Sequence, residues 1–180
     1  VGRSHPEYPA LQLANLVFGG YFSSRLVSNI REDKGYTYSP HSSIDHSAVT
    51  SVILVDADVA TEVTAPALHE INYELGRIAT TAVTAEELED VRQYAVGTMA
   101  LSTATQGGLA NWITMLAGQG LEVTWLEQHG KRLAAITIEE VQAAAARYLA
   151  PAATITTVLG DADRIGAEVS RLHTVEVVPG

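Results

Sequence analysis

The chain has 180 residues, enough for one full hydrophobic core, so we expect a single domain over residues 1–180. It contains no cysteine, which excludes disulfides, thiolate nucleophiles and cysteine zinc sites. The net charge of −10 and the lack of a Lys/Arg cluster argue against a nucleic-acid partner. No apolar run is long enough to span a bilayer, so we expect no membrane partner.

The beginning of the chain is typical of an internal cut. No charged-then-apolar signal segment opens the chain, and Val1-Gly2-Arg3 does not resemble a native start. We therefore interpret the sequence as a fragment of a longer protein. The absence of cysteine leaves the compartment undecided; among compartments we favour the cytoplasm of a bacterial-type protein.

The first third of the chain predicts two helices. One covers residues 9–18 and is closed by Gly19 and Gly20. The next has Ser23 or Ser24 at its N-cap, and Gly35 suits the left-handed position that follows a helix.

An antiparallel hairpin is predicted next, with strands near residues 36–47 and 48–58 and a turn around 45–47. The second strand contains a continuous apolar run, which is typical of a strand covered on both sides.

A series of helices follows, recognised by apolar residues at three- and four-residue steps. The first is expected to begin near residue 66, with an apolar stripe that reaches Ala82, and the second runs from a capping box at Thr84 and Glu87 through Met99. The third covers residues 109–116, between glycine breaks at Gly107–Gly108 and Gly118–Gly120. The fourth covers residues 125–135, and the fifth runs from a capping box at Thr137 and Glu140 to Leu149.

Strands are predicted after these helices, over residues 153–159 and 175–178. Segregated strands and helices favour an α+β fold, in which a mostly antiparallel sheet is packed on one face by a layer of helices.

The stretch from Gly19 to Ser39 contains the candidate site. Arg31 lies in the last turn of the second helix, and Tyr38 follows seven positions later, early in the predicted strand. A tight reversal between them would bring a fixed cation and a phenolic hydroxyl together, suited to a carbonyl oxygen or a carboxylate. Tyr36 would share the strand face of Tyr38 and could donate in its place, although the spacing favours Tyr38.

This stretch resembles the signature of the C-terminal half-domain of pitrilysin- and insulinase-type zinc metallopeptidases, the superfamily of the mitochondrial processing peptidases. The matching residues are Gly19-Gly20, Ser24-Arg25-Leu26, Ile30-Arg31, Gly35 and Tyr38-Ser39. Segments 84–88, 137–149 and 158–161 resemble later parts of the same half-domain, and by this resemblance the chain begins one strand late.

The resemblance implies a division of labour between two half-domains. Zinc would lie on a partner half-domain with a His-x-x-Glu-His helix, upstream on the same chain or on a separate subunit. This chain lacks that pattern and is expected to hold no zinc and to be inactive alone. The resemblance gives Arg31 and Tyr38 catalytic roles near the scissile bond of a peptide substrate, and assigns substrate binding to Arg31, Tyr38 and Tyr36.

The residues themselves offer no alternative chemistry. His41 and His46 should point to opposite sides of a strand, and His69-Glu70 has no second histidine one turn away, so no metal ligand is predicted. No Gly-x-Ser-x-Gly elbow and no phosphate-binding glycine loop is present. Arg25 is interpreted as structural and paired with a carboxylate, and Trp112 and Trp125 as core residues.

Three functions therefore remain open. The first is the substrate-binding and transition-state-supporting half of a zinc endopeptidase. The second is a non-catalytic scaffold or core subunit of the processing-peptidase type. The third, an unrelated α+β binding module, would require the long signature to be coincidence. A His-x-x-Glu-His pattern upstream of Val1 or in a neighbouring gene would favour the first.

Overall fold

The computed structural model describes residues 1–47 and 50–178 as an α+β domain that is mostly helical. The α-helices are α1 (Tyr8–Asn15), α2 (Arg25–Val27), α3 (Thr64–Thr80), α4 (Ala85–Thr103), α5 (Gln106–Gly118), α6 (Trp125–Ala135), α7 (Ile138–Tyr148) and α8 (Ala162–Leu172). The strands are β1 (His41–His46) and β2 (Ser51–Asp56). Two π-helical segments, Leu16–Gly20 and Ser28–Asp33, continue α1 and α2. Short 3-10 turns cover Thr61–Val63 and Pro151–Ala153.

The predicted hairpin is confirmed, and β1 pairs with β2 in antiparallel register from His41 opposite Asp56 to His46 opposite Ser51. β1 begins later than predicted, because residues 36–40 form a loop that ends at Pro40, which has no N–H to donate to a ladder. Residues 48 and 49 of the predicted second strand lie outside the described residues.

The hydrophobic core lies between the N-terminal helices, the hairpin and the central helices. α1 is buried almost throughout, and it contacts α4, α6, α7 and β1. The fully buried side chains at its centre come from distant parts of the sequence, namely Leu13, Phe18, Leu26, Ile30, Ile78, Leu133 and Val141. The N-terminal stretch that contains the signature is therefore anchored directly in the core.

Both predicted capping boxes are present and set the starts of α4 and α7. Thr84 and Glu87 exchange backbone and side-chain hydrogen bonds at the first, and Thr137 and Glu140 do so at the second. α3 begins at Thr64 and ends at Thr80, so Ala82 lies beyond it.

The helix α5 begins at Gln106, earlier than the predicted start at residue 109. Thr105 caps α5 by accepting from the N–H of Gly108, so Gly107 and Gly108 lie in its first turn. At its other end, α5 stops at Gly118 as predicted, and Gly120 takes the left-handed backbone with φ of 68°.

The sheet is smaller than predicted: within the described residues it has two strands. Residues 154–159 and 174–178 have no strand pairing, and Ile155 and Leu159 are fully exposed. β-branched composition indicates a strand only where a neighbouring strand supplies hydrogen bonds and packing, and no described strand pairs with either segment.

The helix α8 was not predicted. Asp161 caps its N-terminus by accepting from the N–H of Asp163, and Ile165 and Val169 pack against Ala65 and Leu68 of α3. Only two residues of α8 are buried, so its sequence carries a weak helical periodicity. An N-cap aspartate followed by an apolar pair four residues apart nevertheless indicates a helix. Within the part of the chain that the structure describes, no helix combines the length and apolarity needed to cross a membrane.

Candidate functional site

The candidate site is built on a short helix that changes its winding. Ser24 caps α2 by accepting from the N–H of Val27, and the chain then widens into the π-helical segment Ser28–Asp33. Gly35 follows with φ of 64°, the left-handed conformation predicted for it. Its N–H donates to the carbonyl of Arg31 at 3.1 Å, which closes the helix and turns the chain toward Tyr38.

The double glycine lets the hairpin pack against this helix. A Cβ at Gly19 would lie 2.8 Å from the Cβ of Ser42 and 3.1 Å from a methyl carbon of Leu26. One at Gly20 would lie 3.1 Å from the carbonyl oxygen of Ser42. This close packing needs the space that a missing side chain leaves, since neither glycine has a positive φ.

Arg31 and Tyr38 lie side by side. The guanidinium carbon of Arg31 is 5.0 Å from the ring centroid of Tyr38 and 4.6 Å from that of Phe22, so it contacts both aromatic rings. Its Nε lies 3.1 Å from a carboxylate oxygen of Glu32, which is largely exposed. Stacked aromatic contacts and one ion pair restrict the guanidinium plane.

Both candidate donors are accessible from solvent. The Arg31 side chain is 26% exposed, and Tyr38 as a whole is 82% exposed. Within the described residues, neither the terminal Nη atoms of Arg31 nor the Tyr38 hydroxyl bonds to another protein group. They are thus free to donate to a carbonyl oxygen or a carboxylate of a ligand.

The expectation for Tyr36 is partly wrong. Tyr36 and Tyr38 do not share a strand face, because residues 36–40 are a loop. Tyr36 is half-buried, and its N–H donates to the carbonyl of Ile30 at 2.9 Å. Its substrate-binding role stays a prediction.

The comparison with protein families decides what kind of domain this is. Residues 1–94, more than half of the chain, match the family model described as the Peptidase M16 inactive domain. The chain belongs to this family. The family is described as an inactive domain, in agreement with the resemblance carried by the signature.

Solved structures extend the likeness of this M16 inactive domain beyond residue 94. The peptidase M16 inactive domain from Pseudomonas fluorescens is similar over 82% of this chain and 35% of its own, with 24% identity and a TM-score of 0.74. A conserved protein from Enterococcus faecalis V583 is similar over 78% of this chain and 33% of its own, with 27% identity and a TM-score of 0.66. The chain therefore spans about a third of these two proteins.

A third structure matches most of its own length. The inactive peptidase domain of a protein from Bordetella parapertussis is similar over 83% of this chain and 81% of its own, with 17% identity and a TM-score of 0.73. At this identity the likeness shows the fold alone. A search of curated proteins finds no match.

The described residues of this M16 inactive domain do not provide the ligands of a zinc site. No group of three or more His, Cys, Asp or Glu side chains comes together there. His41 is exposed on β1, whereas the Nδ1 atom of His46 lies 2.7 Å from the Ser51 hydroxyl. Burial lowers the pKa of His46 to about 4, so this ring is neutral at pH 7.

The structural role predicted for Arg25 is confirmed. Its Nε and Nη2 donate to the two carboxylate oxygens of Glu87 at 2.7 and 2.9 Å, and further bonds reach the carbonyls of Thr81 and Ala82. This pair joins α2 to the capping box of α4. Trp125 is buried as predicted, and Trp112 packs beside it while donating to the Ser102 hydroxyl.

Phe22 is the site residue that sequence reasoning missed. It lies between the double glycine and the Ser24 cap, is exposed, and contacts the face of Arg31. An aromatic residue next to a glycine turn and ahead of an N-cap is a usable signal, since core packing does not require it there.

Proposed function

We propose that this domain is the substrate-binding and transition-state-supporting half of a zinc-dependent endopeptidase that acts on peptides or unfolded segments. The zinc site lies on a separate half-domain with His-x-x-Glu-His, upstream on the same chain or on another subunit. The proposal rests on one observation: the Arg31 guanidinium contacts the rings of both Phe22 and Tyr38, while the ion pair with Glu32 uses its Nε and leaves the Nη donors for a ligand.

Arg31 supplies a pre-oriented cation. Its guanidinium contacts two aromatic rings and its Nε lies near Glu32, and these contacts restrict the rearrangement that is needed when a substrate binds. When a peptide carbonyl becomes tetrahedral, negative charge grows on its oxygen. Fixed donors at that oxygen stabilise the developing charge more than they stabilise the ground state.

Tyr38 supplies the second donor. Its ring contacts Arg31, and its hydroxyl lies at the exposed end of the ring. The exposed faces of Phe22 and Tyr38 also offer apolar surface to the side chains of an extended peptide, and Tyr36 in the same loop adds to this surface. Such an apolar surface does not select particular side chains of the peptide, which agrees with a preference for unfolded segments.

A non-catalytic scaffold is the second candidate, because the family is described as inactive and the described residues lack a zinc ligand set. A scaffold does not need a guanidinium and a phenolic hydroxyl side by side at one site with donor atoms available to a ligand. The Arg31 and Tyr38 pair therefore favours the first function.

We expect the isolated domain to bind no zinc stoichiometrically and to cleave no peptide. The assembled protein should bind zinc and cleave the peptide. The reason is that the ligand set and the donors lie on different half-domains. Zinc content after dialysis against dilute zinc, and cleavage of a quenched fluorescent peptide, measure this for each half and for the assembly.

One zinc retained tightly by the isolated domain would contradict the assignment of zinc to the partner. If the half with His-x-x-Glu-His alone cleaves the peptide as fast as the assembly, the scaffold function replaces the proposed one.

A further inference from the structure

The π-helical segment Ser28–Asp33, which contains Arg31, is tied to α3 by polar side chains. The Nδ2 atom of Asn29 donates to Glu70 Oε2 at 3.0 Å and to Glu74 Oε1 at 2.9 Å. The Nζ atom of Lys34 lies 3.6 Å from Glu70 Oε1. Two consecutive turns of α3 therefore hold one end of the segment.

Glu74 makes this anchor rigid, because its side chain is only 1% exposed. A buried carboxylate needs hydrogen-bond partners to offset the loss of hydration. The other partner of Glu74 is Arg77, whose Nη1 atom donates over a longer distance of 3.3 Å and belongs to a partly exposed side chain. Asn29 thus satisfies a buried charge, and this constraint fixes the position of Asn29.

The backbone transmits the constraint to Arg31 and to the loop of Tyr38. The carbonyl of Asn29 accepts from the N–H of Lys34 at 3.0 Å, and that of Arg31 accepts from Gly35 at 3.1 Å. π-helical turns are rare and less favourable than α-helical turns, and they persist where surrounding contacts hold them. The Asn29 anchor is one such contact, two residues before Arg31.

We propose that Asn29 and Glu74 are positioning residues for Arg31: they hold the widened turn so that the guanidinium keeps its contacts with Phe22 and Tyr38. The inference rests on the proposed function, since it gives these residues an effect on turnover through Arg31. It assigns them no contact with the peptide.

The test is a double-mutant cycle in the assembled peptidase. Asn29→Leu keeps the branched shape of the side chain and removes the amide. We expect kcat to fall about tenfold with KM nearly unchanged, because a small displacement of a fixed donor is costly in the transition state. In the Arg31→Ala background the same change should have no further effect on kcat. Asn72→Leu, on α3 and bonded to the Leu68 carbonyl, is the matched control and should leave kcat unchanged.

A conservative change and a readout other than activity complete the test. Glu74→Gln keeps an oxygen acceptor for Asn29 and should preserve most of kcat. In the folded domain, the Nε–H NMR signal of Arg31 should broaden or shift in Asn29→Leu and not in Asn72→Leu.

The outcomes separate the inference from the proposed function. If Arg31→Ala lowers kcat and Asn29→Leu does not, the positioning inference is wrong and the proposed function stands. If Asn29→Leu lowers kcat equally with and without Arg31, its effect is general and the inference is also wrong. If Arg31→Ala has no effect, the proposed function fails, and the inference fails with it.

Discussion

Replacing Arg31 with alanine is expected to lower the kcat of the assembled peptidase by about a hundredfold or more, the usual cost of losing one oxyanion donor. Tyr38→Phe should have a comparable effect, since it removes only the hydroxyl. Arg31→Lys should also lower kcat substantially, because a single ammonium group cannot contact the rings of Phe22 and Tyr38 as a planar guanidinium does while donating from two fixed Nη positions. Steady-state kinetics on a peptide substrate measure these effects.

Tyr36→Phe is the matched control for Tyr38→Phe. It removes a hydroxyl from the same loop and should change kcat only mildly, because Tyr36 is half-buried. Zinc content and unfolding midpoints should match the wild type in all of these variants. Wild-type turnover in both Arg31→Ala and Tyr38→Phe would leave the scaffold function as the better account.

The largest expected effect on stability comes from Glu87→Gln. Arg25 is buried and donates to both Glu87 oxygens, so the change leaves a buried guanidinium without its counter-charge. We expect a loss of about 3 kcal/mol in the free energy of unfolding, at the lower end for a broken buried pair because the Glu87 side chain is 30% exposed. Urea unfolding at pH 7 measures it.

Glu127→Gln is the control for this loss. Glu127 pairs with Lys131 on the surface of α6, where both side chains are largely exposed, and removing that pair should leave the unfolding midpoint unchanged. An equal loss from Glu87→Gln and Glu127→Gln would show that burial of the Arg25 pair has no special effect.

The Glu87 pair also predicts a dependence of stability on pH. Its hydrogen bonds with Arg25 lower the pKa of Glu87 from 4.5 to about 2 in the folded domain. A lowered pKa gives stability that is fully present above pH 4.5 and is lost as the pH falls from there toward 2. The difference in unfolding free energy between wild type and Glu87→Gln should therefore shrink across this interval. A difference that is constant with pH would contradict the assignment.

Local features of the site could be predicted from the sequence because short-range chemistry determines them. Ser24 caps α2, Gly35 takes a left-handed conformation, and the glycine pair gives space to Ser42. The capping boxes of α4 and α7 are equally local. In each case a single residue type satisfies a backbone requirement that its neighbours create.

Features that depend on distant partners could not be predicted in the same way. The strand expected over residues 153–159 has the right composition, but a strand exists only beside another strand. The contact of Phe22 with Arg31 depends on the π-helical winding of Ser28–Asp33, which the helical spacing of apolar residues does not reveal. The loop over residues 36–40 is a different case, because Pro40, which ends it, is visible in the sequence and argues against the strand face assumed for Tyr36 and Tyr38.

The most direct test of the central claim compares two ligands on wild type and Arg31→Ala. A phosphinic peptide has a tetrahedral, anionic centre, whereas the matching uncleaved peptide has a planar carbonyl. If Arg31 supports the transition state, Arg31→Ala should raise the inhibition constant of the phosphinic peptide by about a hundredfold, in parallel with the loss of kcat/KM. The dissociation constant of the uncleaved peptide should change little. Equal weakening of both ligands, or no weakening of the phosphinic peptide, would contradict the claim.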